Sequence, residues 1–353
     1  MKKILIIGET LETGRTEEVY GREFSAIGWK VDYFNWKEAE PSLSSSSFWN
    51  RAAWRVAWQL WAKSANQKLV ETANYVQPDL TLVISPRLVH PDSILLLKQH
   101  GLAFAFFTDN PVDSHHTHTN SWIQRGFPLW DAALIWSQEL VESLIQNGVK
   151  RAFFHPFSSD VKYHFPKRQA QSKYDVVFIG NWDASRKREQ YLKAIADYRL
   201  GLWGSNYWNT HCKEPNLKGL CQGMCSYQEI PEILGSAKMG LNILRPQNQE
   251  GHNIRTYEIP ATGTLMLSER SRELLNLFVE DQEAVYFSSP EELRHKVEYL
   301  LQNPTLIESI AEAGYKKARA NTVTHRITDI TNIYQELKST QLSDLQLLNH
   351  QDK

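Results

Sequence analysis

The sequence predicts two doubly wound α/β domains in tandem, facing each other across a cleft. Short apolar runs alternate with helix-period segments, the pattern of parallel strands covered on both faces. The opening strand-to-glycine signature, Lys2–Gly8, restarts at Tyr174–Gly180. The chain has 353 residues, and domains of roughly 100–200 residues make that two.

In the first half, Lys2–Gly8 reads as a buried strand, followed by a polar turn and a helix over Arg15–Ile27. Lys30–Trp36 is a second strand, and a long helical stretch covers Phe48–Val76 before Pro78 stops it. Asp79–Ser85, Ala103–Thr108, Asp131–Trp136 and Arg151–His155 are strand-like, with helices between most of them. After the linker at His155–Asp160 and a polar segment, strands are expected at Tyr174–Gly180, Tyr198–Trp203, Ala237–Leu244, Thr264–Glu269 and Ala284–Ser288. From Pro290 the pattern is helical. The expected division is 1–157 for a first domain, 158–325 for a second, and 326–353 for a helix packing back on the first domain, its last residues frayed.

Composition removes several function classes. Lysine plus arginine against aspartate plus glutamate leaves a net charge of −1, so no basic field argues for nucleic acid. Three cysteines make no disulfide framework, and the apolar start is too short for a signal peptide. A cytoplasmic protein is the expectation.

The stretch Glu250-Gly-His-Asn-Ile-Arg-Thr-Tyr-Glu258-Ile-Pro-Ala-Thr-Gly263 carries the most chemistry. A strand ending at Leu244, a loop and a helix opening near Gly251 would aim free backbone N–H groups of Gly251, His252, Asn253 and Ile254 at an anion. Glu250 falls in the loop and Glu258 two turns into the helix, which Gly263 closes. Arg255 pairs with a neighbouring carboxylate on the helix surface, or else fixes Glu258 or a phosphate.

This stretch resembles the nucleotide-sugar site of GT-B glycosyltransferases, in which two glutamates separated by seven intervening residues lead into a helix ending in Ala-x-Gly. Arg255–Gly263, Pro290–Leu293 and Ile310–Gly314 are similar to the CgeB-like (spore-maturation-protein type) branch of the family-4-like enzymes. So are Phe178-Ile-Gly180 followed by Lys187-Arg188, and Phe106-Phe-Thr-Asp109-Asn-Pro111. The resemblance spans about residues 79–325. It implies a retaining enzyme that needs no metal or other cofactor. Glu250 would meet the donor sugar, Glu258 the ribose, and Gly180 with Arg186, Lys187 and Arg188 the diphosphate. Asn181 stands where an arginine is common in the broader family, so which cation clamps the phosphate stays open. Trp203, Gly204, Ser205 and Tyr227 occupy positions from which such enzymes hold the nucleobase. Gly8, Glu9 and Thr10 would face the acceptor, with His115 and His116. An inverting enzyme would need a general base in the first domain, for which Asp109 is the candidate; a turn residue before proline reads as well.

Three further patterns need weighing. His115, His116 and His118 cluster without requiring a metal, and His211, Cys212, Cys221 and Cys225 lack a recognised zinc spacing. No metal is expected at either. Trp54, Trp58 and Trp61 form one stripe on the long helix, flanked by Arg51, Arg55 and Lys63. Packing into the core is the favoured reading, and peripheral membrane contact the other. The expected partners are therefore a nucleotide sugar and an acceptor not specified by the sequence. Two further readings stay open: a non-catalytic nucleotide- or carbohydrate-binding scaffold, and a phosphorylase or epimerase on the same architecture.

Overall fold

The computed structural model describes residues 1–39, 48–113 and 119–351, with the backbone alone for 38–39, 48–59, 247 and 344–351. The chain divides into two compact units, Met1–Pro156 with Arg326–Lys353, and Phe157–His325.

In the first unit the elements run β1 (Lys3–Gly8), α1 (Thr16–Ala26), β2 (Lys30–Asn35), α2 (Phe48–Val76), β3 (Leu80–Ile84), α3 (Pro91–Leu97), β4 (Leu102–Phe107), α4 (Ser121–Gly126), β5 (Ala132–Ile135), α5 (Glu139–Gln146) and β6 (Ala152–Phe154). The strands pair in parallel in the order β2-β1-β3-β4-β5-β6. Ile4 to Ile7, Leu80 to Ile84 and Leu102 to Phe107 are buried without interruption. That is why these runs lack the alternation of a half-exposed strand. Trp61 is buried, whereas the side chains of Trp54 and Trp58, and the histidines at 115, 116 and 118, lie outside the described residues. Among the described residues no helix is long and apolar enough to cross a membrane.

The second unit runs β7 (Tyr174–Ile179), α6 (Lys187–Lys193), β8 (Leu200–Trp203), α7 (Tyr207–Thr210), α8 (Ile230–Gly235), β9 (Ala237–Asn242), α9 (Arg255–Ala261), β10 (Leu265–Glu269), α10 (Arg272–Leu277), β11 (Val285–Phe287), α11 (Pro290–Gln302) and α12 (Pro304–Arg319). A last helix, α13 (Val323–Gln351), starts here and continues in the first unit. The sheet is parallel, in the order β11-β10-β9-β7-β8. Successive strands therefore step one way from β7 to β8 and then cross to the other side of β7 to form β9. Ligands of open α/β sheets bind beyond the strand ends at such a reversal.

The helix after Gly180 begins at Lys187 and ends at Lys193, after which i→i+3 bonds such as Ile195 N–H to the Leu192 carbonyl tighten the chain. The helix expected near Gly251 begins only at Arg255, so Glu258 lies one turn along it. Gly251 to Asn253 are kept out of that helix by side-chain bonds: Ser271 Oγ donates to the Gly251 carbonyl, and the His252 ring is committed elsewhere.

In the first unit His155 is buried just beyond β6, its Nε2 2.9 Å from the Tyr20 hydroxyl, with its ring edge-on to Phe106. Burial pushes its pKa down to about 3 from 6.5, with the Arg326 charge acting the same way. The folded state thus binds fewer protons than the unfolded chain between these values. Stability tied to this group is complete above about pH 6.5 and is lost as pH falls toward about 3. Between pH 7.5 and 5 the loss should be about 2 kcal/mol. Thermal melts at the two pH values should show it, and His155→Gln should flatten the dependence.

Candidate functional site

The ends of β7, β8, β9 and β10 converge on a group of cations. Arg188, on the first turn of α6, is buried and donates to the carbonyls of Asn181 (2.7 Å) and Ile243 (3.2 Å). It thereby ties the end of β7 to the end of β9 across the reversal. Burial lowers its pKa to about 10, and the neighbouring Arg245 and Arg255 charges push in the same direction. Lys187 is 2.6 Å from Glu269 at the end of β10, and Glu269 also accepts from the Leu244 amide. Arg255 donates from Nε to the Ile179 carbonyl (3.2 Å) and pairs with Glu258. Partial burial lowers the Arg255 pKa.

Like charges at a helix N-terminus are unfavourable, and carboxylates of the chain itself offset them. Arg186, in the left-handed region at φ 58°, pairs with Glu189 at 2.9 Å and lies 3.9 Å from Glu214. Burial raises the Glu189 pKa, but bonds from Arg186, Trp182 and the Lys213 amide outweigh it and hold the group at about 2. Arg186 is oriented toward Glu189 and Glu214, while Lys187, Arg188 and Arg255 line the strand ends.

The other expected residues divide in the same way. Gly180 accepts from the Trp208 indole through its carbonyl, and a Cβ on Gly204 would stand 2.3 Å from that same carbonyl oxygen. Only glycine lets β7 and β8 end side by side here. Ser205 donates its amide to Asn181 Oδ1, while its buried Oγ has no hydrogen-bond partner among the described residues. Trp203 does not project outward: its ring runs back over the sheet, edge-on to Tyr174 at 5.6 Å. Tyr227 opens a short 3-10 turn capped by Ser226 and Glu229.

Along the Glu250–Glu258 loop, Glu250 is exposed. His252 is fully buried. Its Nε2 accepts from the Phe157 amide at 3.2 Å, and Nδ1 faces the Glu273 carboxylate, so both nitrogens are committed to the loop and not to a ligand. Asn253 donates to Asn242 Oδ1 at 2.8 Å, and its own buried Oδ1 has no hydrogen-bond partner. Ile254 caps α9, its carbonyl accepting the Glu258 amide. Glu258 is buried against Arg255 and against His164, whose Nε2 is 3.4 Å from Oε1. Sequence reasoning did not single out His164, Asn242 or Glu273, because none of them stands in a motif or carries a spacing signal.

Around the end of β1 in the first unit, Glu9 pairs with Arg87 at 2.8 Å. The loop from Gly8 to Gly14 is clasped at both ends, the Glu9 amide donating to Glu17 and the Gly14 amide to Glu18. Burial raises the Glu17 pKa. Thr10 is buried. At Asp109 the turn before Pro111 is closed by Asn110, whose Oδ1 accepts from Val112 and Asp113. Among the described residues no group of three or more His, Cys, Asp and Glu side chains comes together to hold a metal; His211 and the three cysteines do not gather in that way.

Residues 186–332 match the family model described as glycosyl transferase-like. No curated protein sequence matches the chain. Among solved structures, sucrose-phosphate synthase from Thermosynechococcus elongatus is similar at TM-score 0.70 and 14% identity, covering 96% of this chain and 100% of that one. A glycosyltransferase from Rickettsia africae matches at 0.65 and 13%, covering 95% and 98%. Anabaena HepE, solved in complex with UDP-glucose, matches at 0.65 and 12%, covering 97% and 100%. These likenesses show the fold, that of GT-B glycosyltransferases.

Gly204→Ala should cost about 1–3 kcal/mol through the clash with the Gly180 carbonyl. A thermal melt should show it as a fall of several degrees, whereas alanine at Gly219, where no atom lies within 4 Å, should bring only the milder strain of its φ of +82°.

Proposed function

We propose that the chain is a glycosyltransferase that moves a sugar from a nucleotide-diphosphate sugar to an acceptor hydroxyl, without a metal and with retention of anomeric configuration. The observation that carries this reading is the convergence of Lys187, Arg188 and Arg255 on the strand ends at the β7–β9 reversal. Arg188 is fixed there by two backbone carbonyls, with the Asp183 carboxylate 4.0 Å from its Nε. A fixed, partly desolvated positive charge is what a departing diphosphate requires.

In the reaction the bond from the anomeric carbon to the diphosphate oxygen breaks, and the acceptor oxygen bonds to the same carbon. The acceptor proton passes to the departing phosphate oxygen when both share one face of the sugar, so no protein base is needed. Negative charge growing on the leaving group is stabilised by Arg188 and Arg255, and by Lys187 once it shifts from Glu269. Glu258 takes a ribose hydroxyl, and exposed Glu250 a hydroxyl of the donor sugar. Asn253 Oδ1 and Ser205 Oγ, buried and unbonded, supply further polar contacts. For the base, the backbone at Gly204 and Ser205 and the Tyr227 ring remain suitable; the Trp203 side chain does not. The run Arg255–Gly263, similar to the CgeB-like branch, supports the same assignment. The resemblance to GT-B enzymes supports an acceptor contact at the Gly8–Thr10 loop of the first unit.

A panel of UDP, GDP, ADP, TDP and CDP without added metal tests the donor site. A nucleotide at about 100 times its Kd should add about 2.7 kcal/mol to stability, read as a thermal shift. The shift should come selectively from one base and disappear in Glu258→Ala. Transfer should persist in a chelator and give the donor's own anomer. No shift from any nucleotide would favour a non-catalytic scaffold.

A further inference from the structure

We infer that His164 is a positioning residue for the donor site, its Nε2–H holding the Glu258 carboxylate in the orientation that receives a ribose hydroxyl. This rests on the donor-site reading above. His164 precedes β7 in a turn that does not otherwise belong to the site. The turn fixes the tautomer: the Asp160 amide donates to His164 Nδ1 at 3.0 Å, so the ring proton of the neutral form sits on Nε2. The ring stays neutral because burial pushes its pKa down to about 3, with the Arg255 charge adding to the effect. Among the described residues Nε2 has no hydrogen-bond partner within ordinary geometry, and Glu258 Oε1, at 3.4 Å, is the acceptor it faces.

A buried imidazole N–H with only one long contact is costly to leave so in a structural core. It makes sense where a ligand completes the arrangement, since hydrogen bonds of reacting sites often tighten only in the complex. Arg255 occupies one carboxylate oxygen and His164 the other, so the rotamer of Glu258 is fixed from both sides. The ring itself is immobilised. Tyr227 packs edge-on at 4.9 Å, and the His164 amide donates back to the Asp160 carbonyl at 2.6 Å. The turn is anchored in turn by Ser159, whose amide and carbonyl pair with Asn321 and Val323.

Titration calorimetry with UDP, GDP and ADP as probes decides the matter, using the full chain with His164→Phe, His164→Gln, Glu258→Ala and the double variant His164→Phe/Glu258→Ala. Phenylalanine keeps the volume and removes the donor; glutamine keeps a donor. For the nucleotide that binds the wild type, His164→Phe should raise Kd about tenfold and His164→Gln by about threefold or less. In the Glu258→Ala background His164→Phe should have no further effect. Histidine ¹⁵N spectra should show Nε2–H protonation, with a shift of that proton on adding nucleotide. Wild-type affinity in His164→Phe, or an equal loss in the Glu258→Ala background, overturns the inference. Should Glu258→Ala bind as tightly as wild type, or wild type bind none of the probes, the donor-site reading fails first and the inference falls with it.

Discussion

The second unit depends on one buried guanidinium. A parallel sheet that reverses its direction of growth leaves two neighbouring strands whose following loops diverge, and the carbonyls at those ends have no ladder partner. Arg188 bonds to one carbonyl on each side of that gap, Asn181 and Ile243. It stacks on Phe178 as well, with the guanidinium carbon 5.5 Å from the ring centre. A charge in this position is costly to desolvate, and the carbonyl dipoles offset the cost without neutralising it. The surrounding cations are then held near one another by Glu189, Glu258 and Glu269, each tying down one of Arg186, Arg255 and Lys187. The result is a cluster of cations held beside the strand ends.

How much of this was legible follows from the range of the interactions. Strands buried on both faces announce themselves as unbroken apolar runs, so β1, β3, β4, β7 and β9 all begin within a residue or two of where the sequence puts them. The same holds for Phe48–Val76, stopped by a proline. Boundaries set by side-chain bonds at long range were not legible. Nothing in Gly251-His252-Asn253 says that Ser271 and Glu273, about 20 residues on, pull the loop out of helix. Likewise the three consecutive cations after Gly180 were visible, but their partners Glu269 and Glu214 lie in other elements. His164 is the clearest case. A lone histidine in a polar segment carries no periodic or spacing signal, and its meaning comes only from the carboxylate 94 positions away that it faces.

The first unit repeats the same logic with different chemistry. Its strand order also reverses, between β1 and β3, and the Glu9–Arg87 pair joins the two loops that follow. Ser85, directly after β3, holds a left-handed conformation at φ 52°, as Arg186 does in the second unit. Non-glycine residues in that region are strained, and both stand at a strand-order reversal. Here, however, the pairing is a single exposed ion pair and the nearby carboxylic acid, Glu17, is buried with a raised pKa. One reversal gathers positive charge; the other gathers carboxylates and hydroxyls.

The Ser159–Thr322 bridge has a consequence for how such a chain is put together. It places the entry and exit of the second unit on adjacent parallel segments, with Ser159 bonded to Asn321 and Val323. A unit whose two ends meet is an insertion cassette: it occupies a single point in the path of its host chain, between residues 156 and 326. Such a unit can be exchanged, permuted or expressed by itself with little change in loop-closure entropy, because closing its ends requires no long connection. The second unit is therefore modular at the level of the gene, even though the polypeptide passes through it only once.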